Sequence, residues 1–162
     1  MKKIAFLLVF VSVSVTSQNN LKKVLKKHNT ESIPYISVDS LLKTPNAILL
    51  DAREKKEFLV SHLKNATYVG YDTFSLKKTM KVLPDKKAKI VVYCSLGVRS
   101  EDIAEKLKKA GYTNVLNLYG GIFEWKNNGN KVFDSKEKET EKVHACTKEW
   151  GKWLKKGIKV YE

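Results

Sequence analysis

Short apolar runs alternate with stretches whose apolar residues return at helical spacing. Ala47–Leu50, Ala66–Val69, Ile90–Tyr93 and Val115–Leu118 are each too short for a helix and carry few polar residues. They are followed by Glu54–Leu63, Phe74–Val82, Ser100–Ala110 and Gly120–Trp125, where the period lengthens toward that of an amphipathic helix. Upstream, Tyr35, Ile36 and Val38 predict a further short strand, Ser37 or Asp39 can cap a helical turn through Leu42, and Pro45 marks a break.

A strand with one wet face would alternate apolar and polar residues. Runs that do not alternate predict strands covered on both faces, as in a parallel sheet between two helical layers. The predicted class is α/β, three layers deep. Gly111 follows the helix over 100–110 as a C-terminal glycine should. With 162 residues the chain suits one domain.

The ends differ from this pattern. Lys2 and Lys3, an apolar run from Ile4 to Val13, and small or polar residues through Val15, Thr16 and Ser17 predict a secretory signal over residues 1–17. That run is well short of the roughly 18–20 residues a bilayer span needs, so the expectation is export to a periplasmic or extracellular space without stable membrane insertion. Residues 18–32 are polar and Lys-rich. Leu21, Val24 and Leu25 offer at most one amphipathic turn, so this stretch is expected to be a linker or a frayed helix. Residues 134–162 form a charged tail whose Trp150, Trp153, Leu154 and Ile158 could make one apolar helical stripe packing on or near the domain, which itself is expected over 33–133.

Charge narrows the partners. The formal charge is +14, and loss of residues 1–17 removes two lysines and no acids, leaving +12. The lysines are scattered rather than clustered with aromatics, which describes a solvated surface more than a nucleic-acid footprint. Small anions still gain from such a field. The two cysteines, Cys94 and Cys146, are too few for a disulfide framework and lack metal-ligand spacing. His144 with Cys146 supplies only two ligands, short of a structural metal site.

The segment that carries chemistry runs from Ile90 to Ser100. An apolar strand ends at Cys94, and Ser95, Leu96, Gly97 and Val98 lead through Arg99 and Ser100 into a helix. In open α/β sheets, ligands bind beyond the carboxyl ends of the strands, where helix N-termini offer free N–H groups. A thiol there is favoured as thiolate by the helix and by Arg99, and Gly97 permits a tight turn that aims backbone amides at the sulfur.

This loop resembles the active-site loop of the rhodanese family. Asp51-Ala52-Arg53 with Glu57 resembles that family's Asp-x-Arg-x-x-x-Glu signature, and His62 with Ala66 its His-x-x-x-Ala segment. Gly120, Gly121 and Trp125 are similar to the Gly-Gly and tryptophan segment after the last strand. The resemblance covers about residues 33–133 and implies a five-stranded parallel sheet and a sulfurtransferase with a cysteine persulfide, using neither metal nor cofactor. Cys94 is then the nucleophile. The loop from Ser95 to Ser100 holds thiolate and persulfide, and Arg99 brings positive charge to an incoming anionic sulfur donor. A thiophilic acceptor, small or a protein, takes the sulfur.

Arg53 and Glu57, four apart at a helix start, are expected to pair and steady the loop, with Asp51 helping to position it. His62 is expected at a structural turn. A cysteine phosphatase would place five residues before the arginine, whereas four lie between Cys94 and Arg99. Thiosulfate-selective relatives often carry a basic residue where this chain has Ser95. A module that binds without catalysis is the other alternative, against which the intact cysteine argues. Export makes a Cys94–Cys146 disulfide conceivable, but a permanent one would consume the working thiol, so Cys146 is expected to be dispensable.

Overall fold

In the computed structural model, which describes residues 20–161, five parallel strands form one sheet. They are β1 (Tyr35–Ile36), β2 (Ile48–Asp51), β3 (Thr67–Tyr68), β4 (Ile90–Tyr93) and β5 (Val115–Leu118), in the order β1-β5-β4-β2-β3. The predicted signal over residues 1–17 lies outside the described residues.

The central strand β4 shows why the apolar runs do not alternate. All four of its residues are fully buried, but Ile90 and Val92 join the core on one face while Val91 and Tyr93 join the core on the other. Side chains of a strand point alternately to its two faces, and both faces here are covered. On the first face lie Ile103, Ala104 and Leu107 of α5 (Arg99–Lys109), with Leu83 and Tyr112. The second face is covered by Ile122 and Phe123 of α6 (Gly121–Asn127) and by parts of both chain ends. Three layers result, as the apolar pattern predicts.

Local chemistry sets the helix ends. Ser37 caps α2 (Val38–Leu42), its hydroxyl accepting from the Ser40 N–H at 3.1 Å, which moves Val38 from the expected strand into the helix. Glu54 and Glu57 close a capping box on α3 (Lys55–Val60), and Ser75 caps α4 (Leu76–Val82). The α3 helix stops at Val60 rather than Leu63 because the Ser61 backbone turns extended and His62 forms an antiparallel bridge to Phe133.

Two expectations about the ends are corrected. Residues 20–28 form a helix, α1, that is neither linker nor frayed: Leu21 and Leu25, one turn apart, are buried in the same core as Tyr93 and Leu96. The tail is not one helical stripe. It contains β7 (Glu139–Thr140), antiparallel to β6 (Val132–Phe133), then β8 (Lys142–His144), a short α7 (Lys148–Gly151) and β9 (Ile158–Val160) parallel to β8. Val143, Ala145 and Leu154 sink into the core, while Ile158 is exposed. Trp150 lies in α7, with Trp153 beyond it.

Candidate active site

Strand β4 ends at Tyr93, so the chain leaves the sheet carrying Cys94 at the carboxyl edge, where α5 begins five residues later. The loop between them is held from three sides. Asn117, a buried asparagine in the otherwise apolar β5, donates from Nδ2 to the Gly97 carbonyl at 2.8 Å and accepts the Ser100 hydroxyl at 2.7 Å. Asn29, just past α1, donates to the same Gly97 carbonyl at 2.8 Å. From below, α6 presents its first amides: the Ile122 N–H donates to the Cys94 carbonyl at 2.9 Å and the Phe123 N–H to the Ser95 carbonyl at 3.2 Å.

This last approach explains Gly121. A Cβ there would stand 2.2 Å from the Cys94 carbonyl oxygen, and the residue has φ +55°. Only glycine lets α6 come this close. Gly121 is thus the floor of the loop.

Cys94 is 2% exposed, and its sulfur accepts the Gly97 N–H at 3.1 Å. The Ser100 hydroxyl stands 3.5 Å from the sulfur, its single hydrogen lying closer to Asn117. The expected cradle is therefore narrower than a ring of amides from Ser95 to Ser100: one backbone donor and one hydroxyl meet the sulfur. Gly97 adopts φ +114° to aim that N–H inward.

Arg99 does not touch the sulfur. Its guanidinium holds Glu57 with two bonds, Nη1 to Oε2 at 2.7 Å and Nη2 to Oε1 at 2.9 Å, and Nη2 also reaches the Ser95 hydroxyl at 3.1 Å. Ser95 donates in turn to Glu57 at 3.1 Å. Burial alone would raise the Glu57 carboxyl, but the bonds and charge of Arg99, with Arg53 nearby, hold it down at about 2. Burial also works against Arg99, yet Glu57 and the neighbouring cysteines push its pKa up.

The expected Arg53–Glu57 pair does not form. Arg53 lies in a bend ahead of α3, outside the helix, so the one-turn spacing does not bring it over Glu57. It binds Asp51 instead, at 2.6 Å with both side chains fully buried, and donates to the Ser61 carbonyl at 2.6 Å. Asp51 and Arg53 thus brace the strand end behind the site, while Glu57 belongs to the loop itself. His62 sits against the Phe58 carbonyl at 3.1 Å and Glu137 of the tail at 3.0 Å, a structural placement as expected.

A cavity of about 200 Å³ opens over the loop, lined by Cys94, Ser95, Leu96, Val98, Arg99, Cys146 and Trp150. The last two come from the tail. Neither was foreseen at the site, and no local spacing in the sequence joins them to Cys94. Among the described residues no three His, Cys, Asp or Glu side chains gather as metal ligands, and no helix is long and apolar enough to cross a membrane.

Such a loop invites comparison with known proteins. The chain is 36% identical over 101 residues to a tRNA uridine(34) hydroxylase of Hamiltonella defensa, covering 60% of this chain and 28% of that protein. It is 37% identical over 91 residues to the protein of the same name in Erwinia tasmaniensis, covering 54% and 26%. The chain thus spans little more than a quarter of these curated relatives.

Among solved structures, a rhodanese-related protein of Thermoplasma volcanium superposes with a TM-score of 0.54 at 27% identity, over 61% of this chain and 96% of that one. A thiosulfate sulfurtransferase of Pseudomonas aeruginosa gives 0.59 at 19% identity, over 85% and 26%, a likeness of fold. The sequence profile described as the rhodanese-like domain matches residues 36–128. With more than half its length matched by that profile, the chain belongs to the rhodanese-like domain family.

Proposed function

We propose that the protein is a sulfurtransferase that carries sulfane sulfur on Cys94. The observation that carries this reading is the buried Cys94 sulfur at the base of an open cavity, with the Gly97 N–H directed at it and the Ser100 hydroxyl 3.5 Å away, close enough to turn to it from Asn117. Donors so placed stabilise negative charge on sulfur, which develops each time Cys94 acts as attacking or leaving thiolate.

In the first half-reaction the Cys94 thiolate attacks the outer sulfur of thiosulfate or of a persulfide. The new S–S bond forms as the donor's own bond breaks, and sulfite or a thiolate departs. In the second, cyanide or a thiol attacks the outer sulfur of the Cys94 persulfide and Cys94 leaves as thiolate. Arg99, at the rim, draws in the anionic donor, and Glu57 tempers its charge so that the anionic product can leave. The N-terminal pattern argues for export, so donor and acceptor would be those of a periplasmic or extracellular space. The hydroxylase name of the curated relatives belongs to proteins of which this chain matches about a quarter, and it is not carried over.

Turnover tests the reading. Thiocyanate formation from thiosulfate and cyanide should exceed hydrolysis of an aryl phosphate, and Cys94→Ser should abolish it. Aryl phosphate turnover above sulfur transfer would favour a phosphatase. Sulfur transfer unaffected by Cys94→Ser would remove Cys94 from the chemistry.

A further inference from the structure

The cavity holds two thiols, not one. Cys146 lines it from the tail, together with the loop that carries Cys94, and no disulfide joins the two cysteines. Cys94 is buried, whereas Cys146 is partly exposed at the rim.

The tail does not hang over the site loosely. On one flank of Cys146, Ala145 is fully buried and its N–H donates to the Val160 carbonyl at 2.7 Å, in register with the β8–β9 ladder. On the other, Thr147 caps α7, accepting from the Trp150 N–H at 3.3 Å. Cys146 itself takes φ +65°, and its N–H donates to Nδ1 of the buried His144 at 3.1 Å. That bond leaves the proton of a neutral His144 on Nε2, which is buried without a partner. The thiol is thus delivered to the cavity by a fixed backbone.

Resting on the sulfurtransferase reading, we propose that Cys146 is a relay thiol, which takes the sulfane sulfur from the Cys94 persulfide and presents it to the acceptor at the rim. A persulfide on Cys94 extends its outer sulfur into the cavity that Cys146 lines. The Cys146 sulfur bonds to that outer sulfur, the bond between the outer sulfur and Cys94 Sγ breaks, and its electron pair stays on Cys94 Sγ. The Cys146 proton ends on the transferred sulfur. Nothing is oxidised or reduced overall: a persulfide and a thiol exchange places.

The donors at Cys94 decide which sulfur is attacked. The Gly97 N–H stabilises charge on Sγ, and the Ser100 hydroxyl can turn to it from Asn117 as that charge develops, so they assist the path in which Cys94 leaves as thiolate. Attack on Sγ itself would instead expel sulfide and leave a Cys94–Cys146 disulfide, with charge developing away from those donors. Burial, and next the Glu57 carboxylate, push the Cys146 thiol up, so it arrives protonated and passes that proton to the anionic outer sulfur, which leaves Cys146 as the attacking thiolate and the outer sulfur neutral.

The test is peptide mapping of the purified protein by mass spectrometry after brief loading with thiosulfate or inorganic polysulfide and alkylation. Sulfur should appear first on the Cys94 peptide and then on the Cys146 peptide, and Cys94→Ser should leave Cys146 unloaded by thiosulfate. Cys146→Ser or Cys146→Ala should trap sulfur on Cys94 and slow discharge to glutathione, a bulky thiol, by about tenfold or more, a larger loss than for discharge to cyanide.

Sulfur confined to Cys94 in the wild type, with discharge unchanged in both Cys146 variants, overturns the relay and leaves the sulfurtransferase standing. A Cys94–Cys146 disulfide with released sulfide overturns it in favour of a resolving thiol. Sulfur on neither cysteine overturns both readings.

Discussion

Two carboxylate–guanidinium pairs draw their carboxylates from one stretch of chain, Asp51 and Glu57, and they do different work. Asp51 and Arg53 are both wholly buried, whereas Arg99, paired with Glu57, keeps 22% of its side chain exposed at the cavity. The first pair binds only protein: besides the carboxylate, Arg53 meets the Ser61 carbonyl and lies over the Tyr93 ring. The second joins a helix to the active-site loop through Ser95 and faces the space where a donor must enter. A buried pair holds a fold because neither charge can be left alone there. A pair at a cavity edge can exchange partners with a ligand.

The largest effect that separates them is on stability. Arg53→Ala leaves Asp51 charged, buried and without its guanidinium, and should lower unfolding free energy by about 3–5 kcal/mol in urea. The folded fraction should still transfer sulfur at a near-normal rate. Lost turnover at unchanged stability would reverse the assignment.

Arg99→Ala should do the opposite. Glu57 loses its guanidinium but keeps the Ser95 hydroxyl and the Glu54 N–H beside an open cavity, so the loss of stability should stay below that of Arg53→Ala. Its kcat/KM for thiosulfate should fall by about 10- to 100-fold, roughly 1.4–2.7 kcal/mol in barrier. A drop in stability as large as that of Arg53→Ala, with turnover intact, would make Arg99 a second structural brace.

That these pairs swap their expected partners shows where sequence reasoning stops. The spacing rule for Arg53 and Glu57 holds only inside a helix, and α3 starts at Lys55. The loop from Cys94 to Ser100 was legible because its chemistry is local: a strand end, a glycine, an arginine and a helix start within seven residues. Asn117 left a trace, as one amide in an apolar strand, though its bonds to Gly97 and Ser100 depend on the sheet that sets β5 beside β4. Leu21 and Leu25 were hidden among lysines that coat the outer face of α1. Cys146 and Trp150 reach the cavity through the aperiodic tail, by contacts more than fifty residues away in the chain, which no periodicity records.

The pair at the cavity edge should also show itself in acid. Glu57, held at about 2 in the folded protein, titrates near 4.3 when unfolded, so its contribution is complete above that value and lost as pH falls toward 2. Urea unfolding of wild type and Glu57→Gln should therefore converge as pH drops from about 5 to 2.5, the wild type losing more. Parallel losses would mean that Glu57 is not held ionised by Arg99.

The central claim, that Cys94 carries the sulfur, is tested most directly by intact mass spectrometry of the purified protein after incubation with thiosulfate or a persulfide donor. The mass should rise by one sulfur atom, the increase should be absent in Cys94→Ser, and cyanide should remove it with release of thiocyanate. An unchanged mass with every donor, or a gain that survives Cys94→Ser, would contradict the account.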